Sequence, residues 1–138
     1  MTRRIVLALV LGLYLVLVGV ITLDPSPPDT TKNPVVLWIT DVTPLTYGAV
    51  EFLANIAMFV PIGVLVTLLS RRWWMAAVVG FALTCAIEFT QTFLPARFPD
   101  VQDIFANTLG AVLGCLAVTA VRRIRAFRAT TSTATVPN

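Results

Sequence analysis

Four apolar stretches constrain this chain more than any other feature. Residues 5–23, 52–69 and 104–121 carry no charge, and residues 73–94 carry one, Glu88. At 1.5 Å of rise per helical residue, a hydrocarbon core of about 30 Å takes roughly 20 apolar residues to cross. Each stretch is therefore one crossing with little length to spare. Lipid offers the backbone no hydrogen-bond partners, so each crossing must be a helix. The composition agrees: the chain is 57% hydrophobic and 12% charged, where soluble domains hold roughly 25% charged residues. That apolar content also excludes disorder. The expected fold is all-α, a polytopic membrane protein built as a four-transmembrane-helix bundle from one domain over residues 1–128. Pro61 falls inside the second crossing, where a kink is expected and neighbours must cover the carbonyl that the ring leaves free.

The distribution of charge sets the expected orientation. Arg3 and Arg4 precede the first crossing, Arg71 and Arg72 separate the second from the third, and Arg122, Arg123, Arg125 and Arg128 follow the fourth, so eight of the ten basic residues lie on one side. The other side holds Lys32 and Arg97 among Asp24, Asp29, Asp41, Glu51, Asp100 and Asp103. The positive-inside rule then places both termini in the cytoplasm. The net charge of +3 comes from short clusters beside apolar runs, a topology pattern and not a nucleic-acid footprint. Trp73 and Trp74 suit the inner interface, Trp38 and Tyr47 the outer one. The first apolar run is too long for a signal-peptide core and has no small-residue cleavage site before Asp24, so it is expected to remain as a helix. Residues 24–29 are Pro-rich and form an extended exit. Residues 35–39 and 45–52 are apolar enough to lie on the membrane surface. Residues 129–138 are expected to be a disordered cytoplasmic tail.

The polar side chains within the crossings gather at one level. Glu88 lies six residues before the outer end of the third run, about 9 Å deep. Gly80, Thr84, Glu88 and Gln91 follow i, i+4, i+8, i+11, one small-and-polar face. Asn55 stands near the outer end of the second run. Asp103, Asn107, Gly110 and Gly114 form a matching stripe on the fourth, with Asp100 one turn earlier and Arg97 in the loop before it. A lone carboxylate in lipid is costly, so it should face protein or water. The bland reading is that such residues glue helices together. Their clustering, with three carboxylates and an arginine, favours a polar pocket open to the outer face and walled by the second, third and fourth crossings. The Gly110 and Gly114 pair is expected to let another helix of the same chain approach closely enough to bring Asn107 to Glu88. Cys85 and Cys115 sit in apolar runs, read as small buried hydrophobes and exclude a disulfide scaffold. The chain has no His, so the usual general base and the commonest metal ligand are missing.

Three blocks of these residues resemble the VanZ-like family of small bacterial membrane proteins. They are Asn55-x-x-x-Phe59-x-Pro61-x-Gly63, then Glu88-x-x-Gln91, then Arg97-x-x-Asp100-x-x-Asp103-x-x-x-Asn107-x-x-Gly110-x-x-x-Gly114. The resemblance covers residues 51 to about 121. Other members carry an Asp-Lys pair and a His near the second crossing, where this chain has Glu51 and Asn55. The resemblance implies an association with resistance to the glycopeptide teicoplanin, and it marks the same polar residues as the site without naming a reaction.

Three functions compete. In the first, the protein binds a membrane lipid or lipid-linked cell-envelope precursor at the outer leaflet, with Arg97, Gln91, Asn55 and Asn107 as binding residues and the Arg97 guanidinium on a phosphate or carboxylate. In the second, it is an intramembrane enzyme on the same substrates, cleaving or transferring a phosphate or glycosyl group, with Glu88, Asp103 and Asp100 as catalytic acids and bases. An Asp100-x-x-Asp103 cation site is a weaker variant, and neither cofactor nor resident metal is expected. A Ser or Cys triad is excluded because no base accompanies a nucleophile. The third is ion-coupled transport through Glu88, disfavoured because the inner half has no polar path and no inverted repeat is visible. Nucleic acid is not an expected partner.

Overall fold

The computed structural model describes residues 1–24, 34–70, 72–94 and 100–133, with side chains through residue 130. Within these, the chain forms five helices and no strand: α1 (Thr2–Thr22), α2 (Pro34–Val42), α3 (Tyr47–Ser70), α4 (Trp73–Gln91) and α5 (Val101–Thr133). Four of them, α1, α3, α4 and α5, are long and apolar enough to cross a membrane. The fifth, α2, has nine residues, none of them buried, and packs against α3.

Local chemistry starts and stops the helices near the expected boundaries. Thr46 precedes α3, and its hydroxyl accepts the Ala49 N–H at 3.3 Å. Asp100 precedes α5, and its carboxylate accepts the Gln102 N–H at 2.8 Å. Both satisfy amides that the first turn leaves without carbonyl partners. Asp103 adds a negative charge to the first turn of α5, where the helix dipole favours one. Hydroxyls inside the crossings mostly bond back onto their own helix: Thr67 onto Gly63 O at 2.7 Å and Thr119 onto Cys115 O at 2.9 Å. Such bonds let an apolar segment carry Thr without exposing a polar group to lipid. α3 runs through Pro61 as one helix. Tyr14 of α1 donates to the Met58 carbonyl at 2.8 Å, in the turn that the proline loosens.

Three boundaries differ from expectation. α3 begins at Tyr47, so residues 47–52, expected to lie on the membrane surface, are instead the first turns of a spanning helix. α4 ends at Gln91, three residues short of the apolar run, because Thr92, Phe93 and Leu94 turn away into the loop. Glu88 therefore lies in the last turn of α4, three residues from the helix end where six were expected. α5 continues past Val121 to Thr133, five residues into the segment expected as a disordered tail. Arg and Ala are good helix formers, so a helix already nucleated in the bilayer propagates through the arginine cluster. Residues 134–138 lie outside the described residues, as do the Pro-rich exit at 25–33, Arg71 and the loop at 95–99.

The core is a seam between α3 and α5, which make the most extensive contact in the molecule; α4 packs chiefly on α5 and α1 chiefly on α3. Glycines make the seam possible. A Cβ at Gly63 would collide with the Ala111 carbonyl, one at Gly110 with the Ile56 carbonyl, and one at Gly114 with the Val60 carbonyl. The two helices therefore touch backbone to backbone. Phe59 and Ile62 are fully buried beside them, with Val18, Val66, Ala76, Ile87 and Cys115. Gly110 and Gly114 thus serve packing within one chain, as expected. α1 differs in kind: Val18 is its only buried residue, and Leu9 and Leu13 are 68% and 74% exposed to the surrounding medium.

Candidate functional site

The polar residues singled out from sequence collect at the end of the bundle where α4 stops and α5 begins. The expected stripe on α4 is its buried face, with Gly80, Thr84, Glu88 and Gln91 all inside. Glu88, Gln91 and Asn107 are 5%, 7% and 3% exposed. Asn55 and Asp103 are half-buried, while Asp100 is exposed. Arg97 lies outside the described residues.

Hydrogen bonds tie these groups across helices. Asn55 Nδ2 donates to Asp103 Oδ1 at 2.6 Å, joining α3 to α5. Asn107 Nδ2 donates to Thr84 Oγ1 at 2.9 Å, joining α5 to α4. Gln91 Nε2 donates to the Thr22 carbonyl at 2.8 Å, joining α4 to the end of α1. Glu88 Oε2 accepts the Asp100 N–H at 2.8 Å, which ties the residue before α5 to α4. Charged partners strengthen such bonds, and low dielectric raises the cost of leaving any of them unmade.

Two expectations need correction. Asn107 was expected to reach Glu88; it reaches Thr84 instead, because Thr84 is one turn closer to the seam that brings α5 against α4. The pocket expected to open among Glu88, Gln91 and Asn107 is closed within the described residues, since these side chains bond to protein and pack inside. At the same end, a cavity of about 540 Å³ lies instead along α3 and the start of α5, lined by Thr46, Ala49, Phe52, Leu53 and Gln102. Phe52 stacks on Phe105 with ring centroids 6.4 Å apart, which ties this wall to α5. Thr84 belonged to the predicted stripe, so its hydroxyl as partner of Asn107 was within reach of sequence reasoning. The Thr22 carbonyl was not, because a backbone group carries no residue signature.

One acceptor in the cluster is left over. Asn107 Oδ1 is buried with no hydrogen-bond partner among the described residues, and so is Thr108 Oγ1 on the next position of α5. Natural structures leave few such groups, and each calls for water, an ion or a ligand. Among the described residues no three Asp, Glu or Cys side chains come together in a way that would hold a metal ion. Asp100 is engaged as the cap of α5 through its side chain and as the partner of Glu88 through its N–H. The Asp100 and Asp103 charges act on Glu88 through space, so the end of the bundle is an acidic locality.

Fold and site together define a multi-pass helical membrane protein with an acid-and-amide cluster at one end of its bundle. The VanZ/LLP1 family model matches residues 11–122, and the chain belongs to that family. The match begins within α1, so the family region reaches well beyond the 51–121 stretch that the resemblance covers. No curated protein and no solved structure matches the chain.

Proposed function

We propose that the protein binds a lipid-linked molecule of the cell envelope at the outer face of the membrane, and that this binding underlies the link between its family and teicoplanin resistance. The positive-inside rule supports the orientation: the arginine-rich end is cytoplasmic, so the acid-and-amide end faces out. Glu88 carries the reading. It is a carboxylate buried in the last turn of a membrane-spanning helix, met by a backbone N–H and by no cation among the described residues. A carboxyl buried with no cation beside it among the described residues is costly, and a role in holding a ligand accounts for its place. The open, mostly apolar groove beside the cluster offers a lipid tail a place to lie. Arg97, three residues before Asp100 in the sequence, is the natural partner for the phosphate or carboxylate of the headgroup.

Binding is preferred to bond cleavage because the acids are already engaged. Asp100 caps a helix, Asp103 accepts from Asn55, and Glu88 accepts from the loop. The test is mass spectrometry of lipids that co-purify with the wild-type chain and with a Glu88→Gln/Arg97→Gln double variant. A lipid-linked species retained by the wild type and lost from the variant is the expected result. The same lipid profile from both proteins overturns the proposal.

A further inference from the structure

The opposite end of the bundle holds a second feature that the family motifs do not touch. There a cavity of about 600 Å³ is bordered by Arg3 and Arg4 from the start of α1 and by Arg122 and Arg125 from the far part of α5. Its inner wall is apolar, with Leu7, Leu68 and Val118 from three helices. No carboxylate pairs with any of these four arginines among the described residues. Arg122 Nη2 approaches the Thr67 carbonyl at 3.4 Å, which holds that guanidinium toward the bundle and leaves its other donors free.

Four like charges around one cavity repel one another, and the repulsion grows as lipid replaces water around them. An anion between them removes it. The anion must also suit an apolar wall that lies among membrane-spanning segments, which a free inorganic ion does not. We infer that this cavity is a binding site for one anionic phospholipid, its phosphate held by Arg3, Arg4, Arg122 and Arg125 and an acyl chain lying against Leu7, Leu68 and Val118. The arginines supply paired N–H donors that match phosphate geometry. The lipid also completes the packing. α1 is the least buried of the four crossings and rests chiefly on α3, so a headgroup bridging its first turn to α5 adds a tie between two helices that touch little among the described residues. This site lies at the other end of the bundle from the Glu88 cluster and stands or falls independently of it.

The same helix provides a matched control, since Arg123 and Arg128 do not line the cavity. The purified full chain in neutral detergent is titrated with phosphatidylglycerol, with phosphatidylcholine and with inorganic phosphate, and bound lipid is read by native mass spectrometry alongside thermal unfolding. Phosphatidylglycerol is expected to bind one per chain and to raise the unfolding temperature, while phosphatidylcholine and inorganic phosphate do neither. Arg122→Gln/Arg125→Gln is expected to weaken phosphatidylglycerol binding about tenfold or more. Arg123→Gln/Arg128→Gln removes the same charge and is expected to change it less than about twofold. Arg125→Gln alone, at an exposed residue with no bond to lose, is expected to fall between the two and guards against misfolding of the double variant. Equal weakening by both double variants would reduce the effect to general charge attraction and overturn the site. Stabilisation by inorganic phosphate alone would overturn the lipid as its occupant.

Discussion

The α3–α5 seam and the polar joins around it hold the same bundle by opposite means. In the seam, Gly63, Gly110 and Gly114 remove side chains so that two backbones meet. In the joins, Asn55, Asn107, Gln91 and Tyr14 extend side chains across gaps to single acceptors. Lipid explains the division. Between helices in a bilayer there is no hydrophobic driving force, because the tails are as apolar as Leu, so association rests on close packing and on hydrogen bonds. Close packing gains many dispersion contacts at once and tolerates no added atom. A single hydrogen bond gains little, because alternative partners exist in the separated state. The seam should therefore be brittle and the joins individually weak.

The largest effect is expected from adding atoms to the seam. Gly114→Val pushes a branched side chain into the Val60 carbonyl and should cost about 3 kcal/mol or more, seen as a loss of folded protein or a large drop in unfolding temperature in detergent. Gly12→Val makes the same chemical change on α1, where a Cβ meets nothing within 4 Å. It should leave stability within about 0.5 kcal/mol of the wild type. Similar losses from the two variants would mean that the seam is not what holds the bundle.

A smaller effect is expected at the α3–α5 join. A double-mutant cycle with Asn55→Ala and Asp103→Ala should give a coupling of about 0.6–1.7 kcal/mol, measured by thermal or denaturant unfolding in a fixed detergent. A coupling near zero would say that this pair, the shortest of the joins, does not stabilise the fold. Tyr14→Phe should cost less still, about 1 kcal/mol or under, because the Met58 carbonyl it leaves keeps its own helix. Its clearest sign is faster hydrogen exchange in α1 with the rest of the bundle unchanged.

The contrast also explains what could be read from sequence. The crossings were legible because lipid solvates them uniformly, and hydropathy reports that directly. The Gly80, Thr84, Glu88, Gln91 stripe was legible because helical periodicity puts those four residues on one face whatever they pack against. Partner choice was not. Asn107 pairs with Thr84 and not Glu88 because the seam fixes the height of α5 against α4, and that height depends on Gly63, Gly80 and Ala111 meeting in space. Asp100 carried a readable sign, an acid just before an apolar helix with another acid three residues on. That sign admits both a cation pair and a capping arrangement, and the Gln102 N–H shows the cap.

Glu88 is the join that fits the pattern least, and it gives the smallest expected change in stability. It bonds the residue before α5 and not a facing helix, and its burial is met by one N–H among the described residues. Glu88→Gln preserves the volume and the carbonyl acceptor for Asp100 while removing the charge. If the residue were glue, the substitution would weaken the bundle as the other joins do. If the charge is kept for a ligand, removing it should leave stability unchanged or raise it by up to about 1 kcal/mol, while the proposed lipid no longer co-purifies. Unfolding temperature and lipid content measured on one preparation separate the two cases, and a variant that is both destabilised and still loaded with lipid would assign Glu88 to structure alone.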